Sequence, residues 1–259
     1  KRFRDAIHDE NDFIILEEFK KSYNDLLIEI TSQISKDLNK LDTNYVMAGR
    51  LKRTTSIIRK LQRINNKGMD LTRMSDIAGT RIIVKNLEDQ NKIINVIKEN
   101  YNVEKEYNYI ESNQNYKSIH IIIKQDQYKY FEIQVRTLAQ QTWADESEEY
   151  GEQAKQGLMS DEIKKYLTLL SDLMYKIDKE INVDLDQVNN HLYDQKTPVT
   201  GKYKIIQNEF EMKFNSLEKP NYYLIVYDSF DSTLISKDIF NVNEKDKIFQ
   251  LYKYKSEVL

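Results

Sequence analysis

Apolar and polar residues follow two different periods along this chain, and each period predicts one kind of element. Apolar residues recur three and four positions apart in residues 12–41, which predicts a long amphipathic helix. The same spacing predicts helices at residues 54–64, 87–99 and 137–150. Residues 160–194 are predicted to hold one or two more helices, because neither Pro nor Gly interrupts them.

A period of two marks the predicted strands, and the clearest lies in residues 127–136. Apolar residues on one face of this strand alternate with three polar ones on the other, namely Glu132, Gln134 and Arg136. A half-exposed polar face is a common feature of strands, but these residue types also suit a cleft that binds metal and phosphate. Further strands are predicted at residues 79–85, 103–110, 117–124 and 221–228, with a two-residue hairpin turn after residue 124.

Pro and Gly are rare in the chain, and the best linker candidate is the segment 196–201, which contains both. We therefore predict an N-terminal helical segment at 1–44, a central domain at 45–195 and a small α/β appendage at 202–259. The appendage is expected to regulate the central domain, to bind a partner or to neutralise the domain within a toxin–antitoxin fusion. The sequence leaves these three alternatives open.

Composition excludes several classes of protein. A net charge of -3 and a pI near 5.8 give no general attraction to DNA, RNA or anionic membranes, so a polyanion site has to be a local cluster of Lys and Arg. The chain has no Cys, which excludes disulfides and thiolate metal sites and favours a reducing, cytoplasmic location. No apolar run approaches the roughly 20 residues of a membrane span, and we expect no membrane or DNA partner.

One segment of the chain has the local cluster of Lys and Arg that a polyanion site needs. Six of the fourteen residues from Arg50 to Arg63 are basic and none is acidic. Ser56 and Lys60 share one face of the predicted helix, and Arg50 and Lys52 precede its N-terminus. A solvated basic helix face is the alternative, but free N–H groups beside positive side chains favour an anion site.

Two carboxylates are the candidates for metal chemistry. Asp76 precedes a Gly-Thr-Arg run that enters a strand, and Glu132 lies on the polar strand face described above. Asp76 could equally cap a turn. Two carboxylates from separate strands can nevertheless share one Mg²⁺, which takes one or two protein carboxylates and substrate phosphates. Between them, the segment from Tyr116 to His120 offers a ring that can stack on a planar base.

In this order and spacing, these segments resemble the synthetase domain of the RelA/SpoT family, the alarmone synthetases, over residues 45–152. The resemblance implies an α+β, nucleotidyltransferase-like fold with a mixed, mainly antiparallel sheet flanked by helices, in a short synthetase-only form. It implies an enzyme that transfers pyrophosphate from ATP to the 3′-hydroxyl of GDP or GTP, releasing AMP. Such short forms are often homo-oligomers, and the helices in 12–41 and 160–194 are candidates for the interface.

The resemblance also implies roles for individual residues. Asp76 and Glu132 would be catalytic and would hold Mg²⁺, with Glu132 as metal ligand, proton acceptor or both. The implied ATP-binding residues are Arg50, Lys52, Ser56, Lys60 and Arg81. The implied acceptor-binding residues are Tyr116, Lys117, Ser118, His120, Gln134 and Arg136.

Three departures from the family pattern concentrate near the acceptor. Asn115 stands where Gly usually precedes the stacking Tyr, Lys117 where Arg is common, and Glu148 where a His often follows the Trp-Ala pair. Two other functions therefore stay open: a toxin-type relative that modifies an adenine nucleotide or the CCA end of tRNA, and a catalytically idle nucleotide-binding module. The acidic residues after Trp143 are expected to be solvated, with one turned toward the basic segment.

Overall fold

The computed structural model describes residues 2–63, 68–112, 116–125, 129–155, 160–179 and 222–226. Its helices are α1 (Glu10–Lys21), α2 (Asn24–Leu38), α3 (Thr54–Gln62), α4 (Leu87–Asn100), α5 (Tyr109–Ser112), α6 (Leu138–Lys155) and α7 (Asp161–Asp178). Its strands are β1 (Tyr45–Leu51), β2 (Ala78–Val84), β3 (Val103–Asn108), β4 (Ile119–Lys124), β5 (Tyr130–Thr137) and β6 (Tyr222–Val226). Within the described ranges, no helix combines the length and apolar character needed to cross a membrane.

The strands form one sheet in the order β3-β4-β5-β2-β1-β6. The pairs β1–β2, β3–β4 and β4–β5 are antiparallel, whereas β2–β5 and β1–β6 are parallel. The parallel β2–β5 pair is joined through α4, β3 and β4, since a parallel connection needs a long crossover. This mixed sheet with helices packed against it confirms the predicted α+β fold class.

The sheet has one apolar face and one polar face, because successive side chains on a strand point to opposite sides. In β5 the apolar residues Phe131, Ile133 and Val135 are fully buried. Helices α2 and α4 pack over this face, and their inward residues join the same core. The polar residues of β5 are thereby directed to the other face of the sheet.

A second, smaller core joins the two C-terminal helices. Trp143 of α6 packs against Leu170 and Met174 of α7, and its indole N–H donates to the carbonyl of Leu167 at 2.9 Å. Helix α6 also contacts β5 and β2, so the helix pair covers one end of the polar face. Trp143 thereby anchors this second core.

Two predicted elements differ from the structure, and one strand was not predicted. The helix predicted at 12–41 is two helices, because the Ser22 side chain and N–H bond back to carbonyls of α1 and end it. Strand β1 was not predicted, although Tyr45, Met47 and Leu51 alternate as buried residues. The two-residue turn is wrong, since Lys124 pairs with Tyr130 and the connection is longer.

The strand predicted at 221–228 is present as β6, and it pairs with β1 at the edge of the central sheet. The rest of the predicted appendage at 202–259, and the part of the helical prediction beyond residue 179, lie outside the described residues. The division at 1–44, 45–195 and 202–259 therefore stays a prediction.

Candidate active site

The polar face of the sheet aligns the candidate residues in rows across neighbouring strands. Arg50 of β1 pairs with Gly79 of β2, and Gly79 pairs with Glu132 of β5. In the next row, Arg81 of β2 pairs with Gln134 of β5, which pairs with His120 of β4. Paired residues direct their side chains to the same side, so the rows gather basic, acidic and imidazole groups in one cleft.

Gly79 is required in the first row because of its contact with Glu132. A Cβ at residue 79 would lie 2.6 Å from the carbonyl oxygen of Glu132 and 3.2 Å from its Cβ. The close approach of the two strands therefore depends on the missing side chain. It also leaves the floor of the cleft open between Arg50 and Glu132.

Asp76 lies just before β2 and receives two ammonium groups on one oxygen. Lys52 Nζ donates to Asp76 Oδ2 at 2.9 Å, and Lys60 Nζ donates to the same atom at 2.8 Å. Burial raises the pKa of the carboxyl, but the two positive charges outweigh it, and the pKa of Asp76 lies below its usual range. Asp76 Oδ1 is buried and has no hydrogen-bond partner among the described residues.

Glu132 is held through both of its carboxylate oxygens. His120 Nδ1 lies 2.9 Å from Oε1, and Gln134 Nε2 donates to Oε2 at 2.8 Å. Burial and the charge of Asp76 raise the pKa of Glu132, whereas the hydrogen bonds and His120 lower it, and the pKa falls below its usual range. Glu132 is therefore charged at neutral pH, and its charge interacts with that of Asp76.

The predicted acceptor-binding residue Arg136 lies beneath the cleft, not at its surface. It is 3% exposed and donates to Tyr116 Oη at 2.6 Å, Ser118 Oγ at 3.3 Å and Gln141 Oε1 at 3.1 Å. Tyr116 Oη also lies 2.7 Å from His120 Nε2. The structure thus joins four predicted acceptor-binding residues, Tyr116, Ser118, His120 and Arg136, in one hydrogen-bond network.

The N-terminus of α3 faces the site without a side-chain cap. The side chain of the N-cap residue Arg53 forms no capping hydrogen bond to the first turn of α3, and that turn contains no acidic residue. Lys52 precedes this turn and Lys60 follows it, and both reach Asp76. Uncapped N–H groups beside two lysines are a suitable arrangement for binding an anion, so the phosphate site stays a prediction. Ser56 lies half-buried on the same helix.

Arg81 connects the basic side of the cleft to α6. Its Nε donates to Gln134 Oε1 at 3.4 Å, and its NH2 lies 3.9 Å from Glu148 Oε1. The pKa of Arg81 falls to about 10, because burial and the positive charges of Arg136 and Arg50 disfavour the charged form. Glu148 is the acidic residue that turns toward the basic side, and its charge opposes this fall.

Lys117, another predicted acceptor-binding residue, lies away from the polar rows. Its Nζ donates to the carbonyl of Ile110 at 3.0 Å and lies 5.6 Å from the ring of Tyr175. It lines a separate cavity of about 200 Å³ together with Trp143 and Asp178. Burial lowers the pKa of Lys117. Lys117 therefore does not join the residues of the polar rows.

The residues present fit a magnesium ion that substrate helps to hold. Within the described part of the chain, no group of three or more His, Asp or Glu residues could hold a metal ion. Asp76 and Glu132 nevertheless supply two carboxylates, and Asp76 Oδ1 is a buried acceptor that lacks a donor. Mg²⁺ is commonly bound by one or two carboxylates, with phosphates and water completing its shell.

Gln141 was missed as a supporting residue. It accepts from Arg136 and lies close to the carboxyl of Asp145, one turn further along α6. The signal was present in the sequence, because Gln141, Asp145 and Glu148 share one face of a helix that starts directly after β5. Only the packing of α6 over the sheet shows which groups this face meets.

Comparisons with known proteins point to one family. Residues 49–155 match the model described as the region found in RelA / SpoT proteins. The GTP pyrophosphokinase YwaC of Bacillus subtilis is 35% identical over 112 residues, which is 37% of this chain and 52% of that protein, so the match spans about half of the relative's length.

Two solved structures share the fold. The small alarmone synthetase 2 of Bacillus subtilis is 27% identical with a TM-score of 0.53, over 66% of this chain and 96% of that chain. A GTP pyrophosphokinase family protein of Streptococcus pneumoniae is 26% identical with a TM-score of 0.53, over 73% of this chain and 100% of that chain.

Proposed function

We propose that this chain, whose residues 49–155 belong to the RelA/SpoT family, is an ATP-dependent pyrophosphokinase. It transfers the β,γ-pyrophosphate of ATP to the 3′-hydroxyl of GDP or GTP, which yields (p)ppGpp and AMP. The observation that carries the proposal is the pair of carboxylates, Asp76 and Glu132, beside two lysines and an uncapped helix N-terminus. This arrangement suits a metal–triphosphate complex.

The basic residues bind the triphosphate. Lys52 precedes α3 and Lys60 lies in its last turn. Each forms a hydrogen bond to Asp76, so phosphate oxygens can replace the carboxylate as their acceptor. Arg50 and Arg81 extend the positive charge along β1 and β2. Positioning and electrostatic stabilisation supply most of the rate in phosphoryl transfer, and these residues provide both.

Asp76 and Glu132 would hold Mg²⁺, which offsets the charge that develops on the transferred group. The acceptor O3′ attacks the β-phosphorus, the bond from that phosphorus to the bridging α–β oxygen breaks, and AMP leaves. The hydroxyl proton passes to a carboxylate. Glu132 is the candidate because its lowered pKa keeps it ionised at neutral pH and because it contacts His120 and Gln134 on the acceptor side of the cleft.

The acceptor is placed at the opposite side of the cleft from the lysines. Tyr116, His120 and Gln134 lie there, and we assign to Tyr116 the stacking contact with the base. A guanine nucleotide is proposed because the relative that matches residues in this region is a GTP pyrophosphokinase.

The test uses the full chain, Mg²⁺ and ATP labelled at the γ-phosphate. GDP, GTP, ADP, ATP and deacylated tRNA are offered in parallel, and labelled product and AMP are measured. We expect label to move to GDP or GTP with one AMP released per transfer. Asp76→Asn is the matched control and should release no AMP while its melting curve stays cooperative.

Each other outcome has a definite meaning. Label on an adenine nucleotide or on tRNA would overturn the guanine acceptor and leave the ATP chemistry in place. A folded chain that binds ATP but releases no AMP with any acceptor would overturn the enzymatic proposal and favour an idle nucleotide-binding module.

A further inference from the structure

A continuous chain of hydrogen bonds runs from a buried arginine to the carboxylate of Glu132. Arg136 donates to Tyr116 Oη at 2.6 Å, Tyr116 Oη lies 2.7 Å from His120 Nε2, and His120 Nδ1 lies 2.9 Å from Glu132 Oε1. Each distance lies within the range of a normal hydrogen bond or below it, and three of the four side chains lie on the adjacent strands β4 and β5, with Tyr116 just before β4. The chain is therefore built into the sheet.

The chemistry of the two end residues sets the direction of the bonds. A guanidinium only donates, so Tyr116 Oη accepts from Arg136 and its own proton is available for His120 Nε2. An imidazole that accepts at Nε2 carries its single proton at Nδ1. That proton points at Glu132 Oε1, and the carboxylate can only accept it. Arg136 and Glu132 thus favour the same tautomer of His120 from the two ends of the chain.

Both ends of the chain are fixed by further contacts. At one end Arg136 is buried, and Ser118 and Gln141 also accept from it. At the other end Gln134 donates to the second oxygen of Glu132 at 2.8 Å. The Glu132 carboxylate consequently has one set orientation before any substrate arrives.

We propose that the Tyr116 hydroxyl and the His120 ring are positioning residues that orient Glu132 for the transfer reaction. This inference rests on the proposed function, and it adds a role for the hydroxyl of Tyr116 that stacking on a base does not need. Stacking uses only the ring, which also contacts Trp143 and Tyr109. The two roles can therefore be separated by removing a single oxygen atom.

Tyr116→Phe makes that separation, because Phe keeps the ring and its edge contacts. We expect kcat to fall about 10–100-fold, as for other residues that orient a metal or catalytic ligand. At saturating Mg²⁺ the KM for ATP and for the acceptor should not change, since no substrate contact is lost. Tyr175→Phe is the matched control, because the Tyr175 hydroxyl makes no hydrogen bond within the described residues. The kcat of this variant should therefore equal that of the wild type.

Two substitutions of His120 separate its two nitrogens. The amide nitrogen of Asn takes the place of Nδ1 and can still donate to Glu132, whereas the amide of Gln takes the place of Nε2 and cannot. His120→Asn should therefore retain more of kcat than His120→Gln. Adding Tyr116→Phe to His120→Gln should cost nothing further, because the chain is already broken next to Glu132.

A measurement that needs no turnover tests the network itself. The chain has three His, so ring ¹⁵N signals are few and His120→Gln assigns the relevant one. Under conditions in which the ring carries one proton, we expect the Nδ1–H tautomer in the wild type, with Nε2 accepting from Tyr116. In Tyr116→Phe the Nε2 signal should shift because this donor is lost, while Nδ1 keeps its proton for Glu132.

The outcomes distinguish the two proposals. An Nε2–H tautomer in the wild type, or a Tyr116→Phe variant with wild-type kcat, would overturn the positioning role while the transferase proposal stands. A wild-type chain that shows the Nδ1–H tautomer but transfers no pyrophosphate would refute the transferase proposal, and the network would then orient Glu132 for another purpose.

Discussion

The contact between Gly79 and Glu132 predicts that one added methyl group will damage both stability and turnover. In Gly79→Ala the new Cβ would meet the Glu132 carbonyl oxygen at 2.6 Å and the Glu132 Cβ at 3.2 Å. Unstrained contacts of this kind lie at about 3.5 Å, so the two strands must separate by roughly half an ångström or more. The obstacle is backbone of a central strand pair, which cannot rotate away.

The expected cost follows from the overpacking. Extra methyl groups in packed regions destabilise by about 1–3 kcal/mol. Replacing Gly also restricts the unfolded chain, which returns about 0.4–1 kcal/mol. The net loss of about 1–2 kcal/mol corresponds to about 2–4 °C in Tm for each kcal/mol in a domain of this size. Because Glu132 itself is displaced, kcat should fall by up to about 100-fold, the effect of a misplacement near 1 Å.

Gly68→Ala is the matched control. A Cβ at Gly68 meets nothing within 4 Å, so this variant has the same change in the unfolded chain without the clash. Thermal unfolding and initial rates are measured for both variants and the wild type. Equal Tm and kcat in the two variants would refute the reasoning. A lower Tm with unchanged kcat would show that Gly79 serves packing and does not place Glu132.

Two further predictions concern buried carboxylates. Asp76→Asn should abolish turnover yet tighten the binding of ATP without Mg²⁺, because Lys52 and Lys60 lose the anion that competes with phosphate. Binding is measured by calorimetry in the presence of chelator. Weaker binding would contradict the assigned phosphate role of the lysines. Asp178 has a pKa raised to about 6 by burial, so the folded state retains a proton that the unfolded state has lost and stability falls as pH rises from about 4 to about 6. Asp178→Asn should accordingly raise the free energy of unfolding at pH 7.5 by up to about 3 kcal/mol, and Tm should rise with it. At pH 4 both should change little. The exposed Asp172→Asn is the control, and equal gains in both variants would contradict burial as the cause.

Much of the fold was predictable because local periods report which face of an element is buried. The alternation in β5 and the helical spacing in α4 predicted both elements within a few residues. Strand β1 was missed because Gly49 interrupts its alternation and has low strand propensity. Gly49 lies under α2, where a Cβ would be 2.9 Å from Thr31 Oγ1. The need for glycine at this position therefore comes from a contact with a residue distant in sequence.

The candidate site was predictable in its residue types and less so in its geometry. The sequence indicated that Asp76, Glu132 and the basic segment act together, and the sheet register now aligns Glu132 with Gly79 and Arg50. It did not indicate that Lys52 and Lys60 would meet on one oxygen of Asp76.

The sequence by itself determined which faces are apolar, where the chemical groups cluster, and which family the central region resembles, because these depend on spacing along the chain. Only the tertiary structure decided that Arg136 is buried support and that Lys117 points to another cavity. Both residues are polar positions near the ends of β5 and β4, and their surroundings depend on how α6 and α7 pack over one end of the sheet. Such long-range packing determines whether a polar side chain meets solvent, substrate or another side chain, and no local period records it.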